Sequence, residues 1–211
     1  MLIAKDIVYT YPRSTRGIRS PGISLTAEPG RITALIGESG SGKSTLLACL
    51  AGVLHPASGE LSIDHRVITN QPSHELAPTR MLVLQNSALF ERLPIWQNVA
   101  LAWGYPSSRL RSRALEHLAA LRVDDLADHK PAELSLGQRQ RAAISSAVAC
   151  DPRVLLVDEP TGSLDAGNAE RVTRLLRQIA DQGRIVIVAS HDEQVLSIAD
   201  DAIGIDAADA A

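Results

Sequence analysis

Aromatic residues are scarce in this 211-residue chain: three tyrosines, two tryptophans and one phenylalanine, 3% of the sequence. A core must therefore be built from Leu, Ile, Val and Ala, and the 45% hydrophobic content supplies enough of them. Cysteine is nearly missing as well. The only two, Cys49 and Cys150, offer no disulfide framework and fit a reducing compartment. No apolar run approaches the ~20 residues that cross a bilayer, so any membrane link has to come through a partner. The opening "MLIAKDIVYT" lacks the basic start and long apolar run of a secretory leader. Charge of one sign is also lacking: 21 Lys and Arg stand against 24 Asp and Glu, a net charge of −3 spread along the chain. That balance excludes the clustered basic footprint of a nucleic-acid binder. The length allows one large domain or two small ones.

Four short apolar runs are present: "RITALIG" (31–37), "MLVLQ" (81–85), "RVLLVDEP" (153–160) and "RIVIVASHD" (184–192). None alternates cleanly with polar residues, as expected of strands in a parallel sheet covered on both faces. Helical spacing fills "KSTLLACLAGVL" (43–54) and "NAERVTRLLRQIADQG" (168–183), with Gly183 as a stop. "SSRLRSRALEHLAALRVDDLA" (107–127) places Leu110, Ala114, Leu115, Leu118 and Leu121 on one stripe and predicts an amphipathic helix. "LIAKDIVYTYP", "GISLTAEPG" and "GELSIDHRVI" alternate more like antiparallel strands. The tail "DDAIGIDAADAA" is acidic and Ala-rich, and a frayed end is expected there.

The four runs end in Gly37, Gln85, Asp158 with Glu159, and His191. Ligands of open α/β sheets bind beyond the carboxyl ends of the strands, so these residues point to one site. "GESGSGKST" (37–45) fits the phosphate-loop pattern between a predicted strand and a predicted helix. Gly40 and Gly42 let backbone amides curl around phosphate oxygens, and the helix N-terminus adds partial positive charge. Lys43 would reach the β- and γ-phosphates, and the Ser44 hydroxyl would ligate Mg²⁺. A buried acid pair ending a strand needs a cation, and Asp158 is the expected Mg²⁺ holder. Glu159, one residue on, can orient and deprotonate a water. Gln85 could touch the metal or the water, and His191 could bond the γ-phosphate. "ELSLGQRQR" begins with a Ser135–Gln138 capping box, and a capped helix start is itself an anion site.

These parts, in this order, resemble the ATP-binding cassette (ABC) ATPase family over nearly the whole chain. Tyr11 is similar to the aromatic that stacks on adenine. Gly37, Ser39, Gly40, Ser41, Gly42, Lys43, Ser44 and Thr45 match the phosphate loop. Gln85 matches the Q-loop glutamine. "LSLGQ" (134–138) resembles the family signature except at Leu136, so Ser135, Gly137 and Gln138 would face a partner's nucleotide. Asp158 and Glu159 match the metal-binding acid and the catalytic glutamate, Asp165 in "SLD" the D-loop, and His191 the switch histidine. Three departures stand out. Leu136 replaces a glycine and must point away from nucleotide. Ser146 replaces an arginine, so a contact within the helical part is expected to be missing. Glu38 follows the first loop glycine, in place of proline, and is expected to face solvent.

The resemblance implies an α/β P-loop NTPase fold: one domain over 1–211, with a nucleotide-binding core from 1–85 and 151–211. That core carries a mostly parallel sheet and a small antiparallel part, and a helical subdomain spans 86–150. It implies two copies closing head to tail around two ATP, with Mg²⁺. It also implies a membrane permease docked near Gln85 to Leu101, holding the chain at the cytoplasmic face of the inner membrane. There, Leu89, Phe90, Leu93, Ile95 and Trp96 form either a docking patch or the subdomain's own core. The short length and "PTGSLD" resemble most the group that powers lipoprotein release, macrolide, peptide or haem efflux, and cell-division signalling, hence an exporter or extruder. A signalling ATPase at the membrane or a soluble iron–sulfur assembly ATPase would share the same ATP site.

Overall fold

A computed structural model describes residues 1–11, 17–69, 71, 79–85 and 89–205. Each of the four apolar runs forms a strand: β3 (Ile32–Ile36), β6 (Arg80–Val83), β7 (Val154–Asp158) and β8 (Ile185–Ala189). They lie in one parallel sheet, in the order β6-β7-β8-β3-β9. Every residue of β7 and β8 is buried, which is why these runs do not alternate. Val154 and Leu156 pack to one side of the sheet, and Leu155 and Val157 to the other.

The fifth strand, β9 (Asp201–Gly204), lies in the acidic tail and pairs with β3. It is short, mostly exposed and at the sheet edge, so it needs no apolar pattern and leaves none in the sequence. The frayed end expected for that tail lies outside the described residues. β6 also differs from expectation. Its register with β7 runs out at Val83, so Gln85 sits in the turn beyond the strand instead of ending it.

The alternating segments build a separate antiparallel sheet in the order β2-β1-β4-β5. Its strands are β1 (Leu2–Thr10), β2 (Gly17–Ala27), β4 (Ser58–Ile63) and β5 (Arg66–Val67). With α1 (Lys43–Ala51) it covers one face of the parallel sheet, burying Leu2, Ile7, Leu25, Leu46 and Leu50 against Leu156 and Ile187. The other face is covered by α2 (Ile95–Ala100), α3 (Ser108–Ala119), α4 (Leu136–Ala149) and α5 (Ala166–Asp181). A short α6 (Glu193–Leu196) follows β8.

The stripe read across 107–127 holds in part. Ala114 and Leu118 are fully buried, but the helix stops at Ala119 and Arg122 takes a φ of +51°. Leu121 and Val123 are both fully buried. Residues two apart face different sides of a helix, so burying both requires the chain to leave it. α5 ends as expected, just before Gly183. No helix among the described residues is long and apolar enough to cross a membrane.

Candidate functional site

Because β6, β7, β8 and β3 are adjacent and parallel, their carboxyl ends lie along one edge of the sheet. Gly37 follows β3, Gln85 lies just past β6, Asp158 closes β7 and His191 follows β8. The loop after β3 carries positive φ at Gly37 (+153°), Gly40 (+86°) and Gly42 (+100°). Gly37 has a second constraint: a Cβ there would stand 2.2 Å from the Ile205 carbonyl oxygen. Gly42 caps α1 with no side-chain bond, so the first helical amides have no competing side-chain acceptor from the cap. Lys43 is buried, and its ammonium donates to the carbonyls of Gly37 at 2.7 Å and Glu38 at 2.8 Å. That places its charge inside the loop, while Ser39, Gly40 and the Glu38 side chain are exposed. Ser41 is buried, and its hydroxyl has no partner among the described residues. An orphaned hydroxyl in a cradle of glycines fits a phosphate oxygen. Tyr11 is tied to the same helix: its hydroxyl and the Thr45 hydroxyl are 3.1 Å apart, and its ring packs edge-on against Tyr9.

Asp158 is only 6% exposed. Burial pushes its carboxyl above the usual range, a hydrogen bond from Ser44 pulls it back, the charge of Glu159 raises it further, and Lys43 lowers it. Among the described residues no cluster of three acids, histidines or cysteines could hold a metal. One hydroxyl and one carboxylate suit a hard cation that keeps water and phosphate oxygens in its shell, which is the habit of Mg²⁺. Glu159 adopts a φ of +45°, and its amide donates to the Ala189 carbonyl at 2.8 Å. Ser190 donates to Glu159 Oε2 at 3.1 Å, and His191 Nδ1 lies 3.0 Å from Oε1. Hydrogen bonds thus tie Glu159 to Ser190 and His191, while the loop and Asp158 share the carboxyl edge of the sheet. Gln85 is exposed and joins none of them.

Ser135 caps α4. It accepts from the Gln138 amide at 3.3 Å, and the Gln138 side chain accepts from the Ser135 amide at 2.9 Å. Leu136 is 57% exposed, so its side chain turns outward. Gly137 is needed for a close approach. A Cβ there would lie 2.8 Å from the Ser163 carbonyl oxygen and 3.0 Å from Leu164. Two residues on, Asp165 caps α5 and accepts from the Asn168 amide at 2.9 Å, a bond that holds its carboxyl below the usual range. Among the described residues no hydrogen bond or ion pair joins Ser135, Gly137, Gln138 or Asp165 to the phosphate loop.

The sequence profile of the ABC transporter family matches residues 21–162. The chain belongs to the ABC transporter family. An uncharacterized ABC transporter ATP-binding protein of Mycobacterium tuberculosis (strain ATCC 25618 / H37Rv) is 38% identical over 207 residues, covering 94% of this chain and 63% of that protein. The methionine import ATP-binding protein MetN of Carboxydothermus hydrogenoformans is 34% identical, covering 93% of this chain and 60% of its own length. The chain thus spans less than two thirds of the curated relatives it matches. Among solved structures, the ATP-binding cassette MJ0796, a dimer in a post-hydrolysis state bound to ADP and Pi, superimposes with a TM-score of 0.89 at 30% identity. That match covers 99% of this chain and 97% of MJ0796.

In this ABC cassette the apolar segment from Leu89 into α2 divides by burial. Ile95 is fully buried core, and Leu89 and Trp96 are half-buried against that core. Phe90 is 64% exposed, near Leu101 and Tyr105 in sequence, which are exposed too. Asn98 organises the segment. Its side chain accepts from the Phe90 amide at 2.7 Å and donates to the carbonyls of Phe90, Leu93 and Pro94. Ser146, where the family pattern has an arginine, donates to the Asn98 carbonyl at 3.0 Å. Two residues of this site escaped the sequence reading. Ser190 was hidden in an apolar run, and Asn98 lay in a segment read for its apolar residues alone.

Proposed function

We propose that the chain is the ATP-hydrolysing motor subunit of a membrane transporter, working as two copies around two ATP molecules. The observation that carries this reading is the sheet register: Leu35 of β3 and Asp158 of β7 both pair with Ala189 of β8, which sets the phosphate loop and the acid pair at one level of the same sheet edge. Loop and acid pair then serve one site, with Glu159 held by Ser190 and His191. Loop amides opened by Gly40 and Gly42, together with Lys43, bind the β- and γ-phosphates. Ser39, Ser41 and Thr45 line the same loop, and Tyr11 stacks on the adenine. Ser44, Asp158 and Gln85 would hold Mg²⁺, which when bound offsets charge on the transferring phosphoryl group. Glu159 orients the attacking water and takes its proton, a contribution of about 10²- to 10⁴-fold in rate. His191 is 84% exposed, so its ring can leave Oε1 and bond the γ-phosphate.

The signature residues stand apart from the loop within one chain, which supports a second copy as the source of Ser135, Gly137 and Gln138 at each nucleotide. Asp165 follows the Ser163–Leu164 contact and lies at the same seam. We place the division of labour at a core of 1–85 and 151–211 and a helical subdomain of 86–150. A permease seats against the segment from Gln85 to Leu101 and holds the chain at the cytoplasmic face of the inner membrane. The "PTGSLD" run favours an exporter or extruder. Relatives named for methionine and Fe(3+) import match most of this chain, so the partner would set the direction of transport. Phosphate-release assays test the ATP site. Lys43→Ala should lower ATP affinity at least about 100-fold, since it removes a charged contact to phosphate. Unchanged affinity would exclude the loop. Sequencing the membrane protein that co-purifies tests the partner, and a soluble partner would overturn the transporter reading.

A further inference from the structure

We propose that Ser190 is a positioning residue for the Glu159 carboxylate, a role that rests on Glu159 being the general base. Ser190 directly follows β8 and is fully buried. Its Oγ accepts the Asp192 amide at 3.2 Å, and its hydroxyl donates to Glu159 Oε2 at 3.1 Å. A hydroxyl has one proton. With the backbone donating into Oγ, that proton is committed to the carboxylate.

The two carboxylate oxygens are thus held differently. Oε1 faces His191, whose exposed ring can turn away. Oε2 faces a side chain that is itself fully buried and also held by the Asp192 amide. The main chain adds a second tie, since the Glu159 amide donates to Ala189, the residue before Ser190. Side chain and backbone together bind the turn after β7 to the turn after β8. The terminal torsion of a glutamate is otherwise broad. Ser190 fixes the plane of the carboxylate and keeps Oε2 occupied, which leaves Oε1 as the oxygen that meets water. A misplacement of about 1 Å at such a group costs on the order of 100-fold in rate.

The test compares Ser190→Ala, Ser190→Thr and Ser190→Val in steady-state ATP hydrolysis, with Glu159→Gln beside them. Ala should lower kcat about 10- to 100-fold, as loss of an orienting outer partner does. KM should stay within about 2-fold, because ATP binding does not use this hydroxyl. Thr keeps the hydroxyl and should recover most of the rate. Val, nearly the same shape as Thr, should not. In a Glu159→Gln background, Ala should cause no further loss. Equal rates for Thr and Val, or the same fractional loss from Ala with and without Glu159, overturn the proposal. If Glu159→Gln is inactive and Ala runs at the wild-type rate, Ser190 alone is misassigned. If Glu159→Gln itself runs at the wild-type rate, the reading of Glu159 fails and the role of Ser190 falls with it.

Discussion

Burial holds the Asp158 carboxyl above its ordinary value of 3.8, and Ser44 and Lys43 offset this only in part. The native state therefore binds a proton at Asp158 more readily than the unfolded chain does. Stability from this group is complete below 3.8 and is lost as pH rises through the folded value. Asp158→Asn removes the charge. It should raise the melting temperature of the nucleotide-free protein at pH 7. The gain should vanish near pH 3, and ATP hydrolysis should be lost at every pH. Thermal melts across pH check this, and a variant less stable at neutral pH contradicts it. Such a cost, kept at the point of chemistry, is a common trade between stability and activity. Asp158 and Glu159 were legible in the sequence because the phosphate loop stands with them; alone, two acids closing an apolar run read as a strand ending in a turn. Ser190 was not, because one serine inside "IVIVASHD" changes neither period nor charge.

Elements were legible where burial was uniform. β7 and β8 are buried at every position, so composition alone marked them. β9 and the end of α3 were not, for opposite reasons: one is too exposed to carry a pattern, and the other bends so that Leu121 and Val123 can both be buried. The seam between α4 and the start of α5 was only half readable. The capping box at Ser135 follows from S-x-x-Q, but the contact of Gly137 with Ser163 joins residues remote in sequence. Gly137→Ala should push the D-loop away and cost about 1–3 kcal/mol of stability, the usual result of overpacking. It should also lower ATPase activity, read in the same preparation. Leu136→Gly next to it should leave the rate within about 3-fold, because an exposed side chain truncated there removes no packing. A manyfold rise would mean that Leu136 obstructs the partner's nucleotide.

For the molecule as a whole, the segment from Phe90 into α2 tests docking against folding. Phe90→Glu adds charge to an exposed ring and should leave the melting temperature nearly unchanged while abolishing co-purification with the permease. Ile95→Ala, in the core, should destabilise by about 2–4 kcal/mol. Retained co-purification of Phe90→Glu would move the docking site elsewhere. The proposed ATP site depends on two copies, because no hydrogen bond among the described residues joins Ser135 or Gly137 to the phosphate loop of their own chain. The most direct measurement is the solution mass of Glu159→Gln by light scattering, with and without Mg²⁺ and ATP. The mass should double on adding ATP, remain doubled for lack of hydrolysis, and fail to double when Lys43→Ala is combined with it. A mass that stays at one chain with saturating ATP bound would contradict a two-copy ATP site.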